Sequence, residues 1–199
     1  VAAVTHLDEF TFLQVVHRLC ELGFRGDIDW SENAAPPATP EDFAEEAIFV
    51  ICNGGMKNTV ARKIYDRVMP QVRAGKPVAE VFGHRLKCRA IEKIWAERSI
   101  AFFTYDLIET DEERIEFLGR LPHIGKITKF HLAKNFGVNV AKPDVHLQRL
   151  ADHHRETVQG LCERLAEASR YKARTVDVLL WRACAEGVID SRSGEVRLP

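Results

Sequence analysis

The residues best equipped for chemistry lie between Leu121 and Ala151, in LPHIGKITKFHLAKNFGVNVAKPDVHLQRLA. This stretch begins with a tight turn, Leu121-Pro122-His123-Ile124-Gly125, between two helical segments. Gly125 can adopt backbone angles that other residues avoid. The amides after it, at Lys126 and Ile127, head a helix and point outward with the positive end of its dipole, a ready seat for a phosphate oxygen. Lys126 and Lys129 add charge nearby. Such a turn holds one strand of a duplex without reading sequence. It is also the form of an ordinary helix–helix turn. Asp144 stands 19 positions after Gly125, directly behind Pro143. Local propensity makes it a helix N-cap whose side chain bonds amides near His146 or Leu147. A carboxylate in that place stays ionised, because amides and dipole favour its charge. Beside a phosphate-holding turn, an ionised carboxylate could face a sugar–base bond.

The elements that must position these residues are helical almost throughout. The nearest thing to a linker is Asn33–Pro40. It ends at a helix start, where Thr39 caps, Pro40 suits the first turn and Asp42 completes a box-like arrangement. Phe43, Ala47, Ile48 and Ile51 then share one face, and Gly54-Gly55 stops the helix. The next helix is expected from Asn58 to Met69, with Val60, Ala61, Ile64 and Val68 inward and Pro70 as terminator. After the segment KPVAEVF and Gly83, a longer helix places Leu86, Ala90, Ile91, Ile94 and Trp95 on one face. Thr110 and Glu113 form a capping-box pair opening a short helix that ends near Gly119. The helix after the turn closes at Gly137. Two amphipathic helices follow, one burying Val158, Leu161, Cys162, Leu165 and Ala166, the other Val176, Leu179, Leu180 and Ala183. Strand-like alternation is confined to Val138–Ala141. The expected fold class is all-α.

Composition narrows the function classes. Hydrophobic residues at 46% and charged residues at 29% describe a folded chain rather than a disordered one. No apolar run approaches the ~18 residues of a membrane span. The opening VAAVTHLDEF lacks the basic start and apolar core of a signal peptide, and the absent initiator Met suggests a trimmed or processed start. Five cysteines, at 20, 52, 88, 162 and 184, contain no CxxC pair. That scatter points to reduced thiols in a cytoplasmic setting and away from a Cys-ligated zinc or iron–sulfur site. Residues 1–50 hold ten acids and two bases, so the remainder is net basic. Residues 121–150 carry Lys126, Lys129, Lys134, Lys142 and Arg149 against Asp144 alone. A basic stretch with a lone carboxylate fits a polyanion-binding face, or a solvated helix surface.

These residues resemble a family. The hairpin Leu121–Gly125 with Thr128 after it, then Asp144 with His146 two residues on, is similar to the signature of the helix-hairpin-helix–GPD superfamily of DNA glycosylases, whose hairpin has the form LPGxGxxT. Upstream, ICNGGMKNTVARKIYDRV resembles the segment that wedges into the duplex, which points to Asn53 and Gly54. FGHRLKCRAIEKIW resembles the helix that precedes the hairpin. The resemblance implies two helical lobes with a cleft between them: residues 41–136, ending in the helix-hairpin-helix, and residues 1–40 with 137–199, carrying Asp144. It implies Asp144 as catalytic residue, and Gly125, Lys126, Ile127, Thr128, Lys129 and His123 as the DNA-binding hairpin. The chain departs from the pattern in three places. Ile127 occupies the position of the lysine of bifunctional members, which implies base removal by water without strand cleavage. Only Cys162 and Cys184 lie where other members hold an iron–sulfur cluster, so no cofactor and no metal are expected. His123 replaces the usual hairpin glycine.

On this reading a flipped base enters a pocket while Asp144 stabilises the positive charge on the departing sugar and positions water. Trp30, Phe43 and Trp181, together with Tyr105, are aromatics able to stack on that base; ordinary burial would make each of them core. The expected partner is double-stranded DNA, met by a monomer in the cytoplasm or bacterial nucleoid, or in the nucleus of a eukaryote. The expected function is excision of a damaged or modified base in base-excision repair. Three alternatives stand beside it: excision of hypermodified bases from phage DNA, a non-catalytic helix-hairpin-helix module in which Asp144 only caps, and a lyase using Lys126, Lys129 or Lys142.

Overall fold

The computed structural model describes residues 7–198, so the opening VAAVTH lies outside the described residues. The described chain is all-α apart from one short hairpin. Its helices are α1 (Glu9–Glu21), α2 (Arg25–Glu32), α3 (Pro40–Asn53), α4 (Asn58–Arg73), α5 (Arg85–Ala96), α6 (Arg98–Asp106), α7 (Asp111–Leu118), α8 (Thr128–Asn135), α9 (Val145–His154), α10 (Val158–Ser169) and α11 (Ala173–Ala185). Strands β1 (Ile189–Asp190) and β2 (Glu195–Val196) pair antiparallel. The chain forms two compact units, Pro36–Phe136 and Val1–Ala35 with Gly137–Pro199.

In the Pro36–Phe136 unit α3 is the central rod, touching α4, α5, α6 and α8. Its sequence explains this: Phe43, Ala44, Ala47, Ile48, Val50, Ile51 and Cys52 are all buried, so apolar residues cover more than one face. Thr39 accepts from the Asp42 amide at 3.1 Å and Pro40 sits in the first turn. Phe43 stacks obliquely on Tyr105 and Phe136, with centroids 5.7 and 5.2 Å away. Its burial contributes about 2–3 kcal/mol.

Several expected boundaries move. Pro70 does not end α4, which runs on to Arg73. Proline removes a donor for the Asp66 carbonyl, but Asp66 is exposed, so water can replace that bond, while Val68, Met69 and Val72 hold the turn inward. The inward stripe of α5 includes Lys87 in place of Leu86, which is 63% exposed. Val138–Ala141 forms no strand. The Ala141 amide donates to Gln159 Oε1 at 2.8 Å and the Lys142 amide to Asp177 Oδ1 at 2.9 Å, so side chains supply what a partner strand would. The strands lie instead at Ile189–Asp190 and Glu195–Val196, too short to show a period.

In the other unit α11 is central, touching α1, α2, α9, α10 and β1. Its first turns bury polar side chains as well as apolar ones. Arg174, 3% exposed, donates through Nε to Ser31 O at 2.9 Å and through Nη2 to Ala34 O at 2.9 Å and Glu32 O at 3.1 Å. Nη1 donates to Gly137 O. Burial lowers its pKa below arginine's usual value. The guanidinium thereby gathers the two segments at which the chain leaves this unit and returns to it. Gly137 must be glycine there: its φ is +84°, and a Cβ would lie 2.8 Å from Ala34 O.

Arg174→Lys keeps the charge but not the planar fork. Each buried carbonyl left without a donor should cost about 1–3 kcal/mol. Urea unfolding should show a lower midpoint with the same slope. An unchanged midpoint would refute the carbonyl clamp.

Candidate active site and hairpin

The hairpin lies in the Pro36–Phe136 unit, between α7 and α8. Thr110 caps α7, accepting from the Glu113 amide at 3.3 Å and donating to Glu113 Oε2 at 2.9 Å. Ile124, 5% exposed, anchors the turn, and its amide donates to Leu121 O at 3.1 Å. The Gly125 amide donates to Thr128 Oγ1 at 2.7 Å, and the Gly125 carbonyl accepts from the Lys129 amide at 3.0 Å. The amides of Lys126 and Ile127 have no acceptor among the described residues, and both residues are exposed. These are the two donors that can meet an anion.

Three details correct the sequence reading. The left-handed residue of the turn is His123, at φ 62°, rather than Gly125. Histidine is among the few side chains enriched in that conformation. Its ring packs edge-on against His84 at 5.7 Å, and burial, then Lys87 and His84, lower its pKa, which favours the neutral form. Lys129 is not a free cation: its Nζ pairs with Glu116 and lies 5.3 Å from the Phe130 ring, which fastens α7 to α8. Lys126 is exposed and has no ion pair among the described residues. Phe43 is sealed in the core at 0% exposure and cannot stack on an incoming base.

Asn53 and Gly54 sit half-buried where α3 ends, in the same unit. The residue that holds them was not singled out from sequence. Lys87, 4% exposed, donates through Nζ to Gly54 O at 2.7 Å and Cys52 O at 3.4 Å, and burial lowers its pKa. The signal was available: Lys87, Ile91 and Ile94 stand at i, i+4 and i+7, so the lysine occupies a buried stripe. Desolvation also pushes the neighbouring Cys52 thiol up to about 11.

Asp144 lies in the other unit. It is the N-cap of α9, with Oδ1 accepting from the His146 amide at 2.9 Å and the Leu147 amide at 3.1 Å. Oδ2 makes no hydrogen bond or ion pair to a described residue. The cap therefore occupies one oxygen of the carboxylate only. Cys184 lies close enough to sense it: burial, then the charges of Asp144 and Asp190, push the thiol up to about 12, so it stays protonated. His146 Nδ1 meets Ser191 Oγ at 3.0 Å. In this unit Trp30 is 49% exposed, whereas Trp181 packs on the core beneath Arg182. Among the described residues no group of three or more His, Cys, Asp or Glu is placed to hold a metal ion, and no helix is long and apolar enough to cross a membrane.

No family model and no curated protein matches this sequence. Solved structures do match the fold. An 8-oxoguanine glycosylase/lyase of Methanocaldococcus jannaschii, solved with a 15mer DNA containing 8-oxoguanine, aligns with a TM-score of 0.65 at 16% identity, over 88% of this chain and 97% of that one. The 8-oxoguanine DNA glycosylase of Thermotoga maritima aligns with a TM-score of 0.63 at 18% identity, over 87% and 93%. This chain has their fold. The fold alone is what such low identity transfers, because chemistry depends on side chains that a backbone match does not compare.

Lys87→Met should free the Cys52 and Gly54 carbonyls. Stability should fall by about 1–3 kcal/mol, and hydrogen exchange should rise over residues 52–57 with little change at the α7–α8 turn. Equal exchange in variant and parent would remove Lys87 as the anchor of that loop.

Proposed function

We propose that this chain is a DNA glycosylase that hydrolyses the N-glycosidic bond of a flipped, damaged base and leaves an abasic site in base-excision repair. The observation that carries the reading is the unengaged Oδ2 of Asp144 at a helix N-terminus, in a chain that shares its fold over most of its length with a glycosylase/lyase solved on DNA. That neighbour was solved on DNA containing 8-oxoguanine, which makes 8-oxoguanine the first base to test.

In the proposed reaction the Lys126 and Ile127 amides hold a backbone phosphate, and Lys126 adds unpaired charge. Asn53 or Gly54 fills the gap left by the everted nucleotide. As the bond between C1′ and the base nitrogen breaks, its electron pair leaves with the base and positive charge develops on the sugar. Asp144 Oδ2 stabilises that charge and accepts a proton from the attacking water, whose oxygen bonds C1′. The departed base, which carries the bonding pair, takes up a proton from solvent, and Asp144 gives its own back to solvent, so the elements of water end on C1′ and on the base nitrogen. Ile127, standing where the lyases of this fold resemblance carry a lysine, favours water over an amine as nucleophile and so a monofunctional enzyme. Lys129 is held by Glu116, which also argues against it as an amine nucleophile.

Excision should be measured on duplexes bearing 8-oxoguanine, other oxidised, alkylated and deaminated bases, and hypermodified phage bases, with alkali to reveal abasic sites. Asp144→Asn keeps a good cap, so its melting temperature should barely move, while excision should fall about 10²–10⁴-fold. Full activity in this variant would sink the mechanism and leave Asp144 a cap. Borohydride should trap no covalent adduct during excision; a trapped adduct would replace hydrolysis by lyase chemistry. Lys126→Ala should weaken binding to all duplex sequences alike and reduce the salt slope by about 0.9. A sequence-selective loss would contradict a phosphate contact.

A further inference from the structure

The β1–β2 turn is fastened to α9, the helix that Asp144 caps, at two points. His146 Nδ1 meets Ser191 Oγ at 3.0 Å, with Ser191 only 5% exposed. Two turns further along α9, His153 Nε2 meets the Arg192 carbonyl at 3.0 Å. This double attachment sets Arg192 on the rim of two adjoining shallow cavities, of about 330 and 350 Å³, that Arg149 also lines. Both cavities lie within the Val1–Ala35 and Gly137–Pro199 unit.

The charges around these cavities are unevenly engaged. Arg197 pairs with Glu195 at 3.1 Å and Asp190 at 3.4 Å. Asp190 also accepts the Arg192 amide at 2.9 Å, and Asp152 accepts from Gln148 at 2.9 Å. The guanidiniums of Arg149 and Arg192 make no hydrogen bond or ion pair to any described residue. Arg149 is half-buried, so part of its hydration is lost without a protein partner. Two planar forks lining the same open hollows match an oxyanion that two donors can share. The hollow is too shallow to enclose a small molecule but suits a phosphate on a strand passing over it. Arg149 is five residues beyond Asp144, a rise of about 7.5 Å along α9, which is on the scale of about two nucleotides of a strand.

We propose that Arg149 and Arg192 together grip a phosphodiester of the DNA strand close to the nucleotide presented to Asp144. This inference rests on the glycosylase reading and adds to it a second backbone contact, separate in sequence from the hairpin. Arg149 and Arg192 are binding residues rather than catalytic ones.

The test uses the full chain carrying Asp144→Asn, so that no turnover disturbs binding. Fluorescence anisotropy on a duplex with 8-oxoguanine, and on the same duplex undamaged, should be read from 50 to 200 mM salt. Arg149→Ala and Arg192→Ala should each lower the salt slope by about 0.9, and the double variant by about 1.8, with unchanged melting temperatures. Duplexes with a single neutral methylphosphonate at successive positions flanking the lesion should include one that weakens the parent but not the double variant. Slopes and affinities equal to the parent's would overturn the arginine grip while leaving the glycosylase reading intact. A parent that binds neither duplex would overturn both.

Discussion

The structure depends on buried cations that close the carbonyl ends of helices. A helix leaves its last carbonyls without donors and concentrates partial negative charge there. At the end of α2, Arg174 donates to Ser31, Glu32 and Ala34 and also to Gly137. At the end of α3, Lys87 donates to Cys52 and Gly54. In both cases the donor comes from a distant helix, so one side chain satisfies a local backbone requirement and fixes a tertiary contact. Removing it would leave buried acceptors whose hydration folding has already stripped away.

The same physics serves the functional reading at Asp144. A carboxylate at a helix N-terminus is the mirror case: it answers the donor end. One oxygen suffices for two amides, and the second remains open. A capping residue can therefore be ready for chemistry without instability, since the helix holds its orientation. The hairpin leaves two amides open in a similar way, because Thr128 satisfies Gly125 and the turn ends before Lys126. Sites of this kind are backbone features made available by local geometry, and they need few special side chains.

Local features were largely legible in the sequence. The Thr39 and Thr110 caps, the Asp144 cap and the inward faces of α3, α10 and α11 follow from interactions within three or four residues, which a linear pattern records directly. What went unread came from partners far along the chain. Lys129 looked like a free cation until Glu116, 13 residues earlier, was placed against it. Val138–Ala141 looked like a strand until Gln159 answered the Ala141 amide and Asp177 the Lys142 amide directly after it. Phe43 was an aromatic of open purpose until Tyr105 and Phe136 closed around it.

By itself, then, the sequence determined the helical class, the Thr39, Thr110 and Asp144 caps, and the spacing of turn and carboxylate, because periodicity and capping are short-range. Tertiary structure alone decided which charges are neutralised, which aromatics are sealed, and which carbonyls Lys87 and Arg174 reach. Those outcomes depend on burial and on distances between residues remote in the chain, where the energy of a polar group is set by its neighbours rather than by its type.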